Sequence, residues 1–258
     1  MDIQVKKSGE YEYVDEGQGK TLVLLHGLFG ALSNWEHVIN AFSKNYRIVI
    51  PMLPIYRKTN VKPSVEGLAE YTKQFLDFMG IDRCIALGNS LGGHIGLIFA
   101  LENPQRLDGL VLTASSGLFE SGMGGTFPRR GSYPFIQERV EYTFYDPKTA
   151  TKELVDEVFD IVNDNYKAIR VVRVARAAQR ENLAKKIHQI TAPTLLVWGL
   201  NDNITPSNVA HEFNKLLPNS TLHFIDKCGH APMMEQPEAF NVYLQEFLNK
   251  VYPLAEMA

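Results

Sequence analysis

Chemistry in this chain centres on Gly88-Asn89-Ser90-Leu91-Gly92, which fits the pattern G-x-S-x-G. A serine that merely caps a helix would present the same five letters, so the setting has to decide. An apolar run, Cys84-Ile85-Ala86-Leu87, leads into the motif, and a helix of small residues from Gly93 to Glu102 leaves it. A strand-to-helix turn this sharp forces the serine into strained backbone geometry, which flanking glycines tolerate because they have no Cβ to clash. The hydroxyl is then lifted above the strand end, where the helix N-terminus favours negative charge. Ser90 therefore reads as a nucleophile.

A serine hydroxyl needs a base at neutral pH. Of seven histidines, His230 is the best placed, in the loop Lys227-Cys228-Gly229-His230-Ala231-Pro232 after the last strand. Open parallel sheets build their sites in such loops. His223 falls inside a strand, and His37, His188 and His211 fall in helical patterns that suggest surface positions. His94 follows Ser90 by one helical turn and points along the helix. An imidazole base also needs a carboxylate to fix its tautomer. Asp202, after Trp198-Gly199-Leu200-Asn201, is the first candidate, and Asp226, closer in sequence to the histidine, is the second. The developing oxyanion needs two donors. The N–H of Leu91 is one; the N–H of Leu28, or of its neighbour Phe29, in His26-Gly27-Leu28-Phe29-Gly30 is the other. Cys228, two residues before His230, is a conceivable nucleophile but the poorer one beside Ser90.

The elements that must hold these groups alternate. Strands are expected over residues 10–15, 21–25, 46–50, 84–87, 107–113, 194–199 and 221–225, and helices over 34–43, 64–80, 93–102, 206–217 and 237–251. The continuous apolar run Thr21-Leu22-Val23-Leu24-Leu25 suits a strand covered on both faces. Strands alternating with helices imply a parallel sheet flanked by helices. The alternation lapses over residues 115–191, where charged helical segments are expected at 132–145, 151–163 and 165–188. The reading is an α/β core of residues 1–114 and 192–258 with a helical cap inserted at 115–191.

The chain has 258 residues, 45% of them hydrophobic, which is enough to bury a core without disulfides or metal. A net charge of −3 gives no basic field for nucleic acid. Two cysteines, Cys84 and Cys228, form no secreted framework. The N-terminus lacks the apolar segment of a secretory signal, and no run of about 18 apolar residues suggests a membrane span. The expectation is a cytoplasmic protein, monomer or homodimer, acting on a small molecule without nucleic acid or membrane partners. There is no zinc-type spacing and no phosphate-binding loop, so no metal and no cofactor is expected.

His26-Gly27, Gly88-Asn89-Ser90-Leu91-Gly92-Gly93, Trp198-Gly199-Leu200-Asn201-Asp202 and Gly229-His230-Ala231-Pro232 together resemble the landmarks of the α/β-hydrolase superfamily, in the right order and over nearly the whole chain. The resemblance implies a serine hydrolase cleaving a carboxylic ester or related acyl compound through an acyl-enzyme. Asn89 before the nucleophile and the Cys-Gly-His context are similar to the meta-cleavage-product hydrolases, which split carbon–carbon bonds in vinylogous diketones. Acyl transfer shares the same intermediate, and a binding module that has kept the fold is the non-enzymatic alternative. Haloalkane dehalogenases and epoxide hydrolases of this fold use an aspartate where this chain has Ser90. In one respect the chain departs from the pattern: many relatives have an acid and a Gly-x-Gly-x-Ser stretch where this chain has Pro51-Met52-Leu53-Pro54-Ile55-Tyr56-Arg57. In the cap, Phe119, Met123, Phe127 and Tyr133 are candidates for an apolar pocket lining, as is Phe29 from the core. Arg129, Arg130, Arg170, Arg173, Arg176 and Arg180 are candidates for holding a substrate carboxylate, against the simpler reading of a solvated face.

Overall fold

The computed structural model describes residues 3–30, 35–120 and 129–253. Eight strands form one sheet: β1 (Lys6–Ser8), β2 (Tyr11–Glu16), β3 (Thr21–Leu25), β4 (Arg47–Pro51), β5 (Cys84–Asn89), β6 (Leu107–Thr113), β7 (Thr194–Gly199) and β8 (Ser220–Ile225). Their order is β1-β2-β4-β3-β5-β6-β7-β8. β1 and β2 pair antiparallel, β2 pairs antiparallel with β4, and every later pairing is parallel. The carboxyl ends of β3, β5, β7 and β8 therefore open onto one edge.

Alternation along the inner strands sorts side chains to two helical layers. Leu22 and Leu24 of β3 join one core with Val111, Leu195 and Val197. Val23 and Leu25 join the other with Leu110, Leu112, Leu196 and Trp198. The first layer is covered by α1 (Glu36–Phe42) and α9 (Pro237–Val251), the second by α2 (Val65–Phe78), α3 (Leu91–Glu102) and α7 (Ser207–Leu216). α3 packs between the sheet and α2 and is buried from Leu91 to Ala100. This explains why its sequence is apolar all round rather than striped. A short α8 (Pro232–Glu235) precedes α9.

Between β6 and β7 the chain forms α4 (Tyr133–Glu141), α5 (Lys152–Asn163) and α6 (Asn165–Arg180). Thr151 and Asp164 cap α5 and α6 with side-chain oxygens that accept from Leu154 and Lys167 N–H. α4 and α6 end earlier than the periodicity predicts, at Glu141 and Arg180. Beyond them lie turns and two 3₁₀ turns, Pro147–Thr149 after α4 and Ile187–Gln189 after α6. Among the described residues no helix is long and apolar enough to cross a membrane.

Candidate active site

Ser90 sits between β5 and α3 with φ 53° and ψ −119°, a left-handed conformation unusual for a residue with a Cβ. The neighbouring glycines explain how the turn closes. A Cβ on Gly92 would fall 1.9 Å from the Leu25 carbonyl oxygen, and one on Gly88 would fall 2.4 Å from the Gly92 backbone. The strain expected of an exposed nucleophile is therefore built into this main chain.

His230 and Asp202 meet as their loops predict. His230 Nδ1 lies 2.9 Å from Asp202 Oδ2 and 3.1 Å from Oδ1. The carboxylate is wholly buried and further held by Ile204 N–H at 2.8 Å, Thr205 N–H at 3.0 Å and Thr205 Oγ–H at 2.7 Å. Because Nδ1 faces a carboxylate, it carries the proton, which leaves Nε2 free to accept one. Burial pulls the imidazole pKa down, but Asp202, with Glu120 and Glu235, outweighs it and the pKa is raised above the ordinary histidine value. Asp226, the alternative acid, is exposed. The acid and base loops are joined by main chain: Asn201 N–H donates to Cys228 O at 2.9 Å, and a Cβ on Gly199 would fall 2.2 Å from Gly229 O.

Ser90, His230, Leu28, Phe29 and Leu91 line one pocket. Asn89 contributes in a way its sequence context does not reveal. Its amide donates to the His230 carbonyl at 3.0 Å and to the Thr113 carbonyl at 3.1 Å, tying the base's loop to the elbow. The other histidines take lesser roles. His37, His188 and His211 are exposed, His223 stacks on Tyr243, and burial lowers the His94 pKa to about 4. Burial, with Glu235 and Asp202, raises the pKa of the Cys228 thiol, which disfavours its thiolate.

The predicted cap lining needs correction. Phe119 is 59% exposed and does not reach the pocket. Tyr133 turns away to donate to Asp156 and pack on Phe159. Met123 and Phe127 lie outside the described residues. The apolar wall comes instead from Val140 of α4, Leu154 and Val158 of α5, and Val171 and Ala175 of α6. Arg173, Arg176 and Arg180 form an exposed face, and Arg129 and Arg130 are exposed too. Arg170 is the exception: it is buried and donates to Ile55 O at 3.0 Å and Pro54 O at 2.9 Å. It grips the 51–57 loop and does not line the pocket.

Two charged groups in the pocket have no counterpart in the sequence reading. Glu120 lines it, bonded to Ser116, with its carboxyl pKa raised by burial. Arg139 is the one cationic side chain among the described lining residues, and it is exposed.

A mostly parallel eight-stranded sheet, a strained serine after its fifth strand, and a histidine–aspartate pair after its last two define the α/β-hydrolase fold. The family model for the alpha/beta hydrolase fold matches residues 20–152 and 161–237, and the chain belongs to that family. It is 30% identical to a 2-hydroxy-6-oxononadienedioate/2-hydroxy-6-oxononatrienedioate hydrolase of Pseudomonas putida, over 96% of this chain and 92% of that one. A 2-hydroxy-6-oxo-6-phenylhexa-2,4-dienoate hydrolase of Comamonas testosteroni is 28% identical over 92% of this chain and 91% of its own length. Among solved structures, an alpha/beta hydrolase enzyme from the metagenome of sediments from the lagoon of Mar Chica, Morocco, is 40% identical with a TM-score of 0.79, covering 96% of this chain and 98% of that one.

Proposed function

We propose that Ser90 is the nucleophile of a hydrolase, with His230 as its base and Asp202 as the group that orients the base. The observation that carries this is the His230 Nδ1–Asp202 contact of 2.9 Å, in the same pocket as a serine held at φ 53°. Ser90 Oγ attacks a substrate carbonyl carbon and gives its proton to His230 Nε2. The carbonyl oxygen takes the negative charge and is received by the N–H groups of Leu28 and Leu91. The tetrahedral centre collapses to an acyl-enzyme as the leaving group departs with the proton from His230. Water, deprotonated by His230, then releases the acid. Helices α4–α6 act as a cap whose apolar wall excludes solvent from these steps.

For the bond that is cut, the relatives favour carbon–carbon cleavage over ester hydrolysis. Those 28–30% identical over more than nine-tenths of the chain are hydrolases of 2-hydroxy-6-oxo dienoates, and Asn89-Ser90 fits that context. In such a substrate the leaving electron pair is taken up by the conjugated dienone. Ester hydrolysis is the second reading, favoured by the pocket. Its wall is apolar, it holds the Glu120 carboxyl, and Arg139 at the edge is the one described lining cation available to a dienoate's carboxylate.

The test is fluorophosphonate labelling of wild type and Ser90→Ala, followed by 2-hydroxy-6-oxo-6-phenylhexa-2,4-dienoate and p-nitrophenyl butyrate as substrates. Labelling that disappears in Ser90→Ala is expected, with turnover of the dienoate. Turnover of the ester alone supports the second reading, and an unlabelled Ser90 in folded protein overturns both.

A further inference from the structure

The 51–57 loop, where the chain departs from the family pattern, is bonded to the turn that follows β3. Tyr56 Oη donates to the Leu28 carbonyl, and Leu53 N–H donates to His26 Nε2 at 3.1 Å. Since His26 Nε2 accepts, its proton is on Nδ1, which donates to Gly27 O at 2.8 Å. Gly30 N–H donates to the same oxygen at 3.2 Å. Burial lowers the His26 pKa, which favours the neutral ring that these two bonds require.

These bonds fix the peptide groups on both sides of Leu28. A trans peptide is planar, with C=O and N–H pointing opposite ways. Holding Gly27 O against His26 and Gly30 therefore directs the Leu28 N–H the other way. Holding Leu28 O against Tyr56 fixes the next plane, so Leu28 cannot rotate its amide without breaking one of the two clamps. Behind Tyr56, Arg170 of α6 grips the carbonyls of Pro54 and Ile55 at 2.9 and 3.0 Å, and Val61 O at 3.4 Å. The chain of bonds runs from α6 through the loop to the turn facing Ser90.

We propose that Tyr56 is a positioning residue for the oxyanion site, and that Arg170 seats the loop that carries it. This rests on Ser90 being the nucleophile. Here a phenol on a clamped strut supplies the constraint. The clamp matters most when charge develops on the substrate oxygen, because preorganised donors act on the transition state far more than on the bound substrate.

The experiment compares wild type, Tyr56→Phe and Arg170→Lys by the rate of fluorophosphonate labelling at Ser90, by kcat and KM on whichever of the ester and dienoate above is turned over, and by melting temperature. Tyr56→Phe keeps the ring and loses only the donor. The expected result is a fall in labelling rate and kcat of about 10- to 100-fold, the scale of a small misplacement in an active site, with KM within about twofold. Arg170→Lys, which replaces the two-nitrogen fork with a single ammonium, follows in the same direction with a smaller loss. A Tyr56→Phe enzyme with unchanged labelling and kcat overturns the proposal. So does a loss confined to KM or to melting temperature, which marks a packing role only. Unlabelled wild type is a different failure, that of Ser90 as nucleophile, and removes the proposal with it.

Discussion

Asp202→Asn changes one atom and reverses two hydrogen bonds. In the native site Oδ1 accepts from the N–H groups of Ile204 and Thr205, and Oδ2 accepts from Thr205 Oγ–H and His230 Nδ1–H. An asparagine must keep its oxygen toward the two backbone donors, since its NH₂ cannot accept from them. The NH₂ then replaces Oδ2 and points a proton at His230 Nδ1. Thr205 Oγ can rotate to accept the second amide proton, so the variant folds with its polar groups satisfied. His230 responds by moving its own proton to Nε2, the atom that has to receive the proton of Ser90. Loss of the correct tautomer in a buried site of this kind is worth about 10⁴ in kcat. At 1.36 kcal/mol per tenfold, that is about 5 kcal/mol of transition-state stabilisation. The assay is kcat on the substrate that wild type turns over, with melting temperature as the control for folding. The pH profile gives a second signature. His230 must be neutral to act, so the acid limb of kcat/KM follows its raised pKa, and removing the Asp202 charge moves that limb to lower pH. A well-folded Asp202→Asn enzyme within tenfold of wild-type kcat would refute the assignment of Asp202.

Two further outcomes follow from half-buried carboxyls. Glu120 adds to the rise in the His230 pKa, so Glu120→Gln should shift the acid limb of kcat/KM to lower pH while kcat on the plateau stays within a few-fold; an unmoved limb would exclude that coupling. Glu181 has its pKa raised to about 7, first by burial and then by Glu66 on α2. A carboxyl raised on folding costs nothing below about pH 4.5, where it is neutral in both states. It destabilises increasingly up to about pH 7, where the folded state too must ionise. Glu181→Gln should therefore raise the melting temperature at pH 8 but not at pH 4, measured by differential scanning fluorimetry.

Much of the fold was legible because the inner strands are buried on both faces. Thr21–Leu25 and Thr194–Gly199 contain no charged residue and are bounded by turn residues, and Leu107–Thr113 carries the apolar run Leu110-Val111-Leu112; the limits of all three agree with the structure. That Ser90, Asp202 and His230 share one edge of the sheet was legible for a related reason: each follows a parallel strand, and parallel strands deliver their ends to one edge. β1 was not legible, since Lys6–Ser8 is wholly exposed and has no apolar face to register. The pocket wall was misassigned because size and apolarity suggested Phe119, whereas the wall is made by Val158, Val171 and Ala175, ordinary members of amphipathic helices whose facing partner is set only by tertiary packing. Arg170 shares a helical face with exposed arginines by composition, and only the loop packed against it distinguishes it. Asn89 looked like a family marker; that it holds the carbonyl of a residue 141 positions away is a long-range fact no local pattern encodes.

The segment after α4 has a bearing on how this protein could be re-engineered. His230 N–H donates to Thr143 O at 3.0 Å, Tyr145 N–H donates to Glu235 Oε2 at 2.7 Å, and a Cβ on Gly229 would fall 2.8 Å from Thr143 O. A chimera that transplants the whole stretch between β6 and β7 from another hydrolase would thus exchange part of the scaffold of His230 along with the pocket walls. A graft that replaces α5 and α6 but retains the recipient's Thr143-Phe144-Tyr145 leaves those backbone attachments intact, and the splice point belongs after Tyr145 rather than at the end of β6.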